Sequence, residues 1–105
     1  STPHAQAVMR YEFHPQTRAE YLKAIAYYEE RQAGIGARFA SEIESVIQRI
    51  VEAPQRWRIL EGEILRCLAH KFPYGVLYSV EKSYVLVLAV MHHSREPGYW
   101  HSGFE

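Results

Sequence analysis

The sequence has very little cysteine and no aspartate at all. Cys67 is the only cysteine among 105 residues, and all twelve acidic side chains are glutamates. A single thiol excludes an internal disulfide, and its neighbours Leu65, Leu68 and Ala69 predict a buried, unreactive residue. The chain therefore lies outside the disulfide-rich secreted class, and we expect it to work in the reducing cytoplasm.

Net charge and long hydrophobic runs are also missing. Twelve lysines and arginines balance the twelve glutamates, so the formal net charge is zero. A neutral protein has no overall field that attracts nucleic acid, so a local basic patch would have to supply one. No apolar run approaches the length of a bilayer-spanning helix, and no signal peptide is recognisable. We expect a soluble protein that does not associate with membranes.

Length and patterning predict one domain, from residue 9 to residue 105. A chain of 105 residues is long enough for one hydrophobic core and too short for two. Residues 1–8 show no hydrophobic period, whereas Met9 opens the first patterned segment. We therefore expect residues 1–8 to be disordered or vector-derived, with Met9 as the natural first residue.

Two apolar segments near the C-terminus predict a β-hairpin. Residues 75–80 and 84–91 are mostly valine, leucine, tyrosine and alanine, and only residues 81–83 separate them. A break this short cannot hold a crossover helix, so the two strands must be antiparallel.

The second of these strands is apolar on both sides. Strict alternation would place Val85, Val87, Ala89 and Met91 on one face and Tyr84, Leu86, Leu88 and Val90 on the other. Such a strand has to be covered on both faces. Helices can cover one face, and the other needs the tail after His92 or a partner molecule.

The first half of the chain predicts one strand and two amphipathic helices. Residues 8–14 alternate and are followed by Pro15, which suits the first turn of a helix. A helical period then runs over residues 15–32 and again over residues 35–53. Strand character returns at residues 64–69. The order β-α-α-β-β-β predicts an α+β fold, a small and mostly antiparallel sheet with two antiparallel helices on one face.

The C-terminal tail combines a guanidinium with two large rings. Arg95 precedes Pro97-Gly98-Tyr99-Trp100. Arginine, tyrosine and tryptophan concentrate binding energy at protein interfaces, which favours a binding role. The alternative is that Tyr99 and Trp100 belong to the core and close the end of the sheet.

The histidines do not predict a metal site. His92 and His93 are adjacent in a strand, so they face opposite sides and cannot readily chelate one ion together. No cluster of further ligands completes a shell, and we expect neither metal nor cofactor. His92 is instead a possible general base or a hydrogen-bonded structural histidine.

Arg66 lies among apolar neighbours, where a charge is costly unless it finds a partner. It is either a ligand for phosphate or carboxylate or an edge residue whose stem lies along apolar surface. The most basic stretch of the chain, a weak signal for nucleic acid, comprises Arg56, Arg58, Arg66 and Lys71.

Four segments together resemble the RelE/ParE toxin superfamily, in its ParE or plasmid-stabilisation branch. They are Glu20-Tyr-Leu-Lys-Ala-Ile-Ala-Tyr-Tyr28, Gly36-Ala-Arg-Phe39, Phe72-Pro-Tyr-Gly-Val-Leu-Tyr78 and Ala89-Val-Met-His-His-Ser-Arg-Glu-Pro97. The resemblance runs from Met9 to Trp100 and implies the same β-α-α-β-β-β fold. It also implies the toxic half of a type II toxin-antitoxin module, neutralised by an antitoxin whose C-terminal segment wraps the toxin.

The superfamily has two activities, and the resemblance gives grounds for choosing between them. RelE-like, ribosome-dependent mRNA interferases place an arginine just before the apolar core of the penultimate strand, where this chain has Gly75. ParE-like proteins are similar to inhibitors of DNA gyrase, which act by binding and need no chemistry of their own. The missing arginine and the neutral charge favour the gyrase inhibitor over the enzyme. An mRNA interferase and a non-toxic, antitoxin-binding remnant are the alternatives.

This interpretation assigns residues to each expected contact. Target binding is expected at Arg66, His93, Arg95, Tyr99 and Trp100. Antitoxin binding is expected at the apolar surface of the hairpin and first helix, including Leu22, Leu86, Leu88 and Val90. If the chain cleaves RNA, the acid, base and cation would come from Arg66, His92, Arg95 and Tyr99.

Overall fold

Five strands and two helices make up residues 10–92, the part of the chain that the computed structural model describes. The elements are β1 (Arg10–Phe13), α1 (Pro15–Arg31), α2 (Ile35–Glu52), β2 (Arg58–Glu61), β3 (Ile64–Leu68), β4 (Tyr74–Val80) and β5 (Tyr84–His92). The predicted α+β architecture and element order are confirmed, with β2 as an additional strand. Residues 1–8, expected to be disordered or vector-derived, lie outside the described residues.

The five strands form one sheet in the order β1-β5-β4-β3-β2. Each neighbouring pair from β2 to β5 is antiparallel, as short connections require. β1 is the exception, because it runs parallel to β5 with Arg10 opposite Tyr84 and Phe13 opposite Val87. The first strand of the chain therefore lies beside the last.

The strand β2 is a short edge strand that the sequence pattern predicts only as a connection. All four of its residues are exposed, so it shows no alternation of buried and exposed positions. A two-residue turn joins it to β3, and Gly62 supplies the positive φ of 57° that this turn needs. Leu60 has no partner in β3, which marks a bulge in the edge.

Helix α2 provides most of the hydrophobic core. Its inward stripe is fully buried and comprises Phe39, Ile43, Val46, Ile47 and Ile50. These side chains pack against alternate residues of the sheet, namely Leu65, Cys67, Val76, Tyr78, Val85 and Val87. Helix α1 buries much less, with only Thr17 and Tyr21 fully inside. Both helices therefore cover one face of the sheet, and α2 lies at its centre.

A second, smaller apolar cluster lies on the face away from the helices. Leu77 and Ala89 are 1% and 6% exposed, and Ile64 and Met91 pack against them. No helical residue takes part in this cluster. The prediction that β5 is covered on both faces is therefore confirmed at this position.

A bulge at Leu88 interrupts the pairing of β4 with β5. Tyr78 pairs with Val87 and the preceding Leu77 pairs with Ala89, so Leu88 is an extra residue in β5. An extra residue shifts every later side chain to the opposite face. The two halves of β5 therefore present opposite alternation.

The strict alternation predicted for this strand is wrong beyond the bulge. Val85 and Val87 share the face toward the helices, but Ala89 and Met91, which were expected on the same face as these two, lie on the opposite one. Val90 packs against the helix-side core. The single extra residue, Leu88, moves the later side chains of β5 to the opposite face. The alternation of the sequence does not show where such a residue lies.

The side chain of Thr17 ties α1 to this bulge. Its Oγ1 donates a hydrogen bond of 2.5 Å to the carbonyl of Leu88, and Thr17 is only 4% exposed. Next to it, the backbone N–H of His14 donates to the carbonyl of Val87 at 3.0 Å. The start of α1 therefore supplies donors to the segment of β5 that the bulge disrupts.

The turn between the helices is held by Glu29. Its carboxylate accepts hydrogen bonds from the backbone N–H groups of Gly34 at 2.9 Å and Gly36 at 3.0 Å. A carboxylate at this position also complements the positive end of the α2 dipole. A Cβ at Gly36 would lie 2.7 Å from the carbonyl oxygen of Ile25, so the helices approach too closely for a side chain there.

Replacing Thr17 by valine should destabilise the protein by about 1–3 kcal/mol, because the buried Leu88 carbonyl loses its donor. Urea unfolding of the purified chain measures this change. Thr17→Ser keeps the hydroxyl and is the matched control, with a smaller loss expected. Equal stability of the valine and serine variants would show that the hydrogen bond contributes nothing.

Replacing Gly36 by alanine should destabilise the protein by about 1–3 kcal/mol through crowding of Ile25 and Glu29. The direction of this change in stability is informative, because replacing glycine by alanine at an open helix position usually stabilises a protein by up to about 1 kcal/mol. The control is Ala37→Ser, at an exposed position in the first turn of α2. An unchanged or raised unfolding midpoint for Gly36→Ala would contradict the close approach.

Candidate functional site

A groove of about 970 Å³ lies beside α1 on the helix side of the sheet. One wall is a face of α1 and the other is formed by the adjoining ends of β4 and β5. Its lining comprises Glu20, Lys23, Ala24, Tyr27, Tyr28, Arg31, Gln32, Ile35, Tyr74, Val90, Met91 and His92. The lining mixes rings, aliphatic side chains and charges of both signs, as a protein-binding groove does.

Aromatic contacts fix the floor of this groove. The rings of Tyr28 and Tyr74 lie 6.2 Å apart, and both contact the buried ring of Phe39. At the rim, the guanidinium of Arg31 lies 4.3 Å from the centre of the Tyr27 ring. It also donates a hydrogen bond of 2.7 Å to the Tyr27 hydroxyl. Tyr27 is half-exposed and thus held in place without being buried. The groove therefore presents a prearranged aromatic surface.

His92 lies at the end of β5, within this groove. It is the cross-strand partner of Tyr74, and the two rings meet edge to face at 5.2 Å. Tyr74 packs against the helix-side core, and paired residues share one face of a sheet. His92 therefore faces the helix side.

Arg66 lies on the other face of the sheet. Its cross-strand partner in β4 is Leu77, a member of the cluster away from the helices. The stem of Arg66 lies beside Gly75, since a Cβ there would be 3.5 Å from its Cγ and Cδ. Leu68 Cδ2 would be closer still, at 3.1 Å. The space above Gly75 is therefore occupied by side chains of β3.

The sheet separates two of the residues expected to act together in RNA cleavage. Arg66 and His92 project from opposite faces, so they do not converge on one reacting group. The other two residues expected for cleavage, Arg95 and Tyr99, lie outside the described residues, as do His93 and Trp100, which were expected to bind the target.

The turn between β3 and β4 is attached to α2 by Glu42. Its carboxylate accepts hydrogen bonds from the backbone N–H groups of His70 at 2.8 Å and Lys71 at 3.2 Å. The bond from His70 is the main reason that the pKa of Glu42 is lowered, and Lys71 contributes further. Arg49 also lies 2.9 Å from Nε2 of His70. This turn carries part of the basic stretch and is held rigidly.

A comparison with protein families accounts for this architecture. The family described as the ParE toxin of the type II toxin-antitoxin system parDE matches residues 11–97. The chain belongs to this family. The match covers β1 from Tyr11 onward and every later helix and strand of the described residues. Membership makes the chain a toxin-antitoxin toxin with an antitoxin as its implied partner. A search of curated proteins found no match.

The residues expected to bind the antitoxin lie differently with respect to the groove of this ParE-family toxin. Val90 lines the groove, whereas Leu22 is an exposed residue of α1 outside its lining. Leu86 pairs with Glu12 and Ser79, and Leu88 is the bulge residue. Only Val90 of the four therefore contributes to the groove.

Cys67 is buried, as the sequence predicts. It is 1% exposed, and burial raises the pKa of its thiol, which disfavours the reactive thiolate. Among residues 10–92, no group of three or more potential metal ligands converges. Within the same range, no helix is long and apolar enough to cross a membrane.

Two features of this toxin were not predicted from the sequence. Tyr27 and Arg31 form the rim of the groove, and their spacing of four residues on one helix was the available signal. Arg58 lies directly opposite Arg66, and the turn at Gly62 was the signal for that pairing. Each signal requires knowing that the flanking segments are a helix or a hairpin.

Replacing Glu42 by glutamine should destabilise the toxin by about 1 kcal/mol at neutral pH, because charged acceptors make stronger hydrogen bonds. The folded pKa of Glu42 lies below its ordinary value of 4.5, so its contribution is complete above that pH. It is lost as the pH falls through the lowered folded pKa. The difference between the two proteins should therefore shrink in acid.

Urea unfolding as a function of pH measures this difference. Glu30→Gln, which alters an exposed carboxylate of α1, is the control and should show no such dependence. A difference between wild type and Glu42→Gln that stays constant from neutral pH to below 4.5 would contradict the role of the carboxylate.

Proposed function

We propose that this ParE-family toxin arrests growth by binding DNA gyrase, and that it does not cleave RNA. The observation that supports this most directly is the placement of Arg66 and His92 on opposite faces of the sheet. General acid-base cleavage needs a proton-transferring group and a cation within reach of one phosphate. The expected pair of Arg66 and His92 does not combine the two.

The surroundings of Gly75 support the same conclusion. The RelE-like interferases carry an arginine at this point, where this chain has Gly75 with side chains of β3 packed beside it. Leu68 and the stem of Arg66 fill the position.

The zero net charge also favours a protein target over RNA. Binding RNA through its backbone draws on many lysines and arginines, whose charges are not offset nearby. Here Arg10 is already paired with Glu12 at 3.0 Å, and Arg31 is engaged by Tyr27. A gyrase inhibitor of this kind would act in the cytoplasm, where its target works.

For contact with the target, we propose His93, Arg95, Tyr99 and Trp100. The support is their chemistry, a guanidinium close to two large rings, which suits an acidic protein surface. Truncating such an anchor typically costs 2 kcal/mol or more, about a thirty-fold loss of affinity.

For the antitoxin, we propose that its C-terminal segment occupies the groove beside α1. The groove has an aromatic floor with Val90 in its lining and carries Lys23 and Arg31 at its edges. An amphipathic segment with apolar and acidic residues would satisfy both features. Leu22, Leu86 and Leu88 then become secondary contacts of a segment that wraps further around the toxin.

Induced expression in a bacterium without the antitoxin tests the proposed target. We expect growth arrest with broken DNA and intact mRNA, together with inhibition of purified gyrase. Rapid loss of transcripts with intact DNA would establish the mRNA interferase instead. Normal growth of cells that accumulate folded protein would establish a non-toxic remnant.

The tail variants Arg95→Ala and Trp100→Ala extend this test. Both should lose growth arrest and gyrase inhibition while keeping the wild-type unfolding midpoint and antitoxin binding. Tyr27→Ala, in the groove, is the comparison variant. We expect it to weaken antitoxin binding and to leave gyrase inhibition intact. Tail variants that melt early and lose the antitoxin would place those residues in the core.

A further inference from the structure

The guanidinium of Arg31 is held in one position at the rim of the groove. It lies 4.3 Å from the centre of the Tyr27 ring and donates a hydrogen bond of 2.7 Å to the Tyr27 hydroxyl. The Tyr27 ring meets the Tyr28 ring edge to face at 5.5 Å. The Tyr28 ring in turn lies 4.9 Å from the buried ring of Phe39. A continuous series of contacts therefore joins this exposed cation to the hydrophobic core.

Most donors of the Arg31 guanidinium are unused. An arginine carries five N–H donors, and the hydrogen bond to Tyr27 takes one of them. No carboxylate or other acceptor between residues 10 and 92 engages the remaining donors. A guanidinium that is fixed in place and not neutralised suits a carboxylate, which it binds through two parallel hydrogen bonds.

Arg31 differs in this respect from Lys23, the other basic side chain that lines the groove. Lys23 follows Glu20 by three positions on α1, and residues three apart are neighbours on a helix surface. Glu20 is the only acidic residue among the described residues of the lining. It offsets the charge of Lys23 but lies eleven residues from Arg31, about 16 Å along the helix axis. The unopposed positive charge of the groove is therefore at Arg31.

We propose that Arg31 selects the antitoxin by binding one acidic side chain of the antitoxin segment. Tyr27 is a positioning residue, because it fixes the guanidinium before the partner arrives. A fixed guanidinium loses less conformational entropy on binding than a flexible side chain does. An antitoxin without a carboxylate at this point would cover the cation and leave it unpaired, which disfavours the wrong partner. This inference rests on the proposed placement of the antitoxin in the groove.

The surroundings of Arg31 favour a protein carboxylate over the phosphates of a nucleic acid. Binding through a nucleic-acid backbone uses several cations that are not offset nearby. Here Lys23 has Glu20 as its neighbour, so Arg31 acts alone. The aliphatic side chains of Ile35 and Val90 also line the groove. An acidic residue flanked by apolar ones, as in an amphipathic protein segment, fits this combination.

The test has to separate recognition by Arg31 from a role in helix stability. Arg31 lies in the last turn of α1, where its charge complements the negative end of the helix dipole. Arg31→Lys keeps this charge and removes the planar pair of donors. We therefore expect Arg31→Lys to keep the wild-type unfolding midpoint while losing affinity for the antitoxin.

The experiment uses the purified full-length toxin and the purified product of the adjacent reading frame, the expected antitoxin, with affinity measured by calorimetry. Arg31→Gln and Arg31→Lys should each weaken binding about ten-fold or more. Arg18→Gln is the matched control, because Arg18 is an exposed arginine of α1 outside the groove lining. It should leave the affinity unchanged.

Double-mutant cycles identify the carboxylate that Arg31 binds. Each acidic residue in the C-terminal segment of the antitoxin is replaced in turn by its amide. We expect one replacement to weaken binding to the wild-type toxin about ten-fold and to have no further effect on binding to Arg31→Gln. Tyr27→Phe, which removes only the hydroxyl, should weaken binding about three-fold. This effect should also disappear in the Arg31→Gln background, which a structural role of Tyr27 does not predict.

Lys23→Cys shows separately whether the antitoxin occupies the groove. Cys67 is the only natural cysteine and is 1% exposed, so the new thiol is the accessible one. Protection of this thiol by the antitoxin, together with unchanged affinity of both Arg31 variants, overturns the inference and leaves the groove proposal standing. A thiol that stays reactive in the complex overturns both, as does a lack of binding.

Two further results would overturn the role of Arg31 alone. One is that no acidic residue of the antitoxin couples to Arg31 in the double-mutant cycles. The other is that an RNA oligonucleotide displaces the antitoxin from the wild-type toxin but not from Arg31→Gln, because the arginine would then bind phosphate. Gyrase inhibition by Arg31→Gln should equal that of the wild type, so these outcomes are independent of the proposed target.

Discussion

The bulge at Leu88 decides which side chains form the core and which form the opposite face. It reverses the alternation of β5 in mid-strand, so that Val87 and Val90 both face the helices while Ala89 faces away. The cost of a disrupted ladder is a carbonyl without a strand partner, and Thr17 supplies the donor from α1. One buried hydroxyl therefore couples the position of the first helix to the register of the last strand.

Most of this fold follows from the sequence because periodicity reports burial. The inward stripe of α2 and the apolar segments of β4 and β5 have one stable arrangement, helices on one face of a sheet. The prediction failed where burial carries no signal. β2 is exposed at every position, and the bulge changes the face of a residue without changing its apolar character. Neither feature can be recognised from the pattern of hydrophobic residues in the sequence.

The sites were less predictable than the fold, because a surface joins residues that are distant in sequence. The apolar residues proposed for antitoxin binding are one example, since Val90 lines the groove and Leu22, Leu86 and Leu88 do not. Arg66 stood out as an isolated charge, but its partner Arg58 became recognisable only with the strand pairing. Likewise, the sequence allowed His92 and Arg66 to belong to one RNA-cleaving site. Only the strand pairing shows that the sheet lies between them.

The parallel pairing of β1 with β5 has a consequence for how the chain acquires its structure during translation. Strand β1 must wait for β5, while both helices emerge with their apolar faces uncovered. Contacts between such distant segments close slowly, and the exposed intermediates are prone to aggregate. Folding therefore cannot proceed from the N-terminus onward. On the ribosome, β1 and β4 therefore stay apart until β5 has emerged to lie between them.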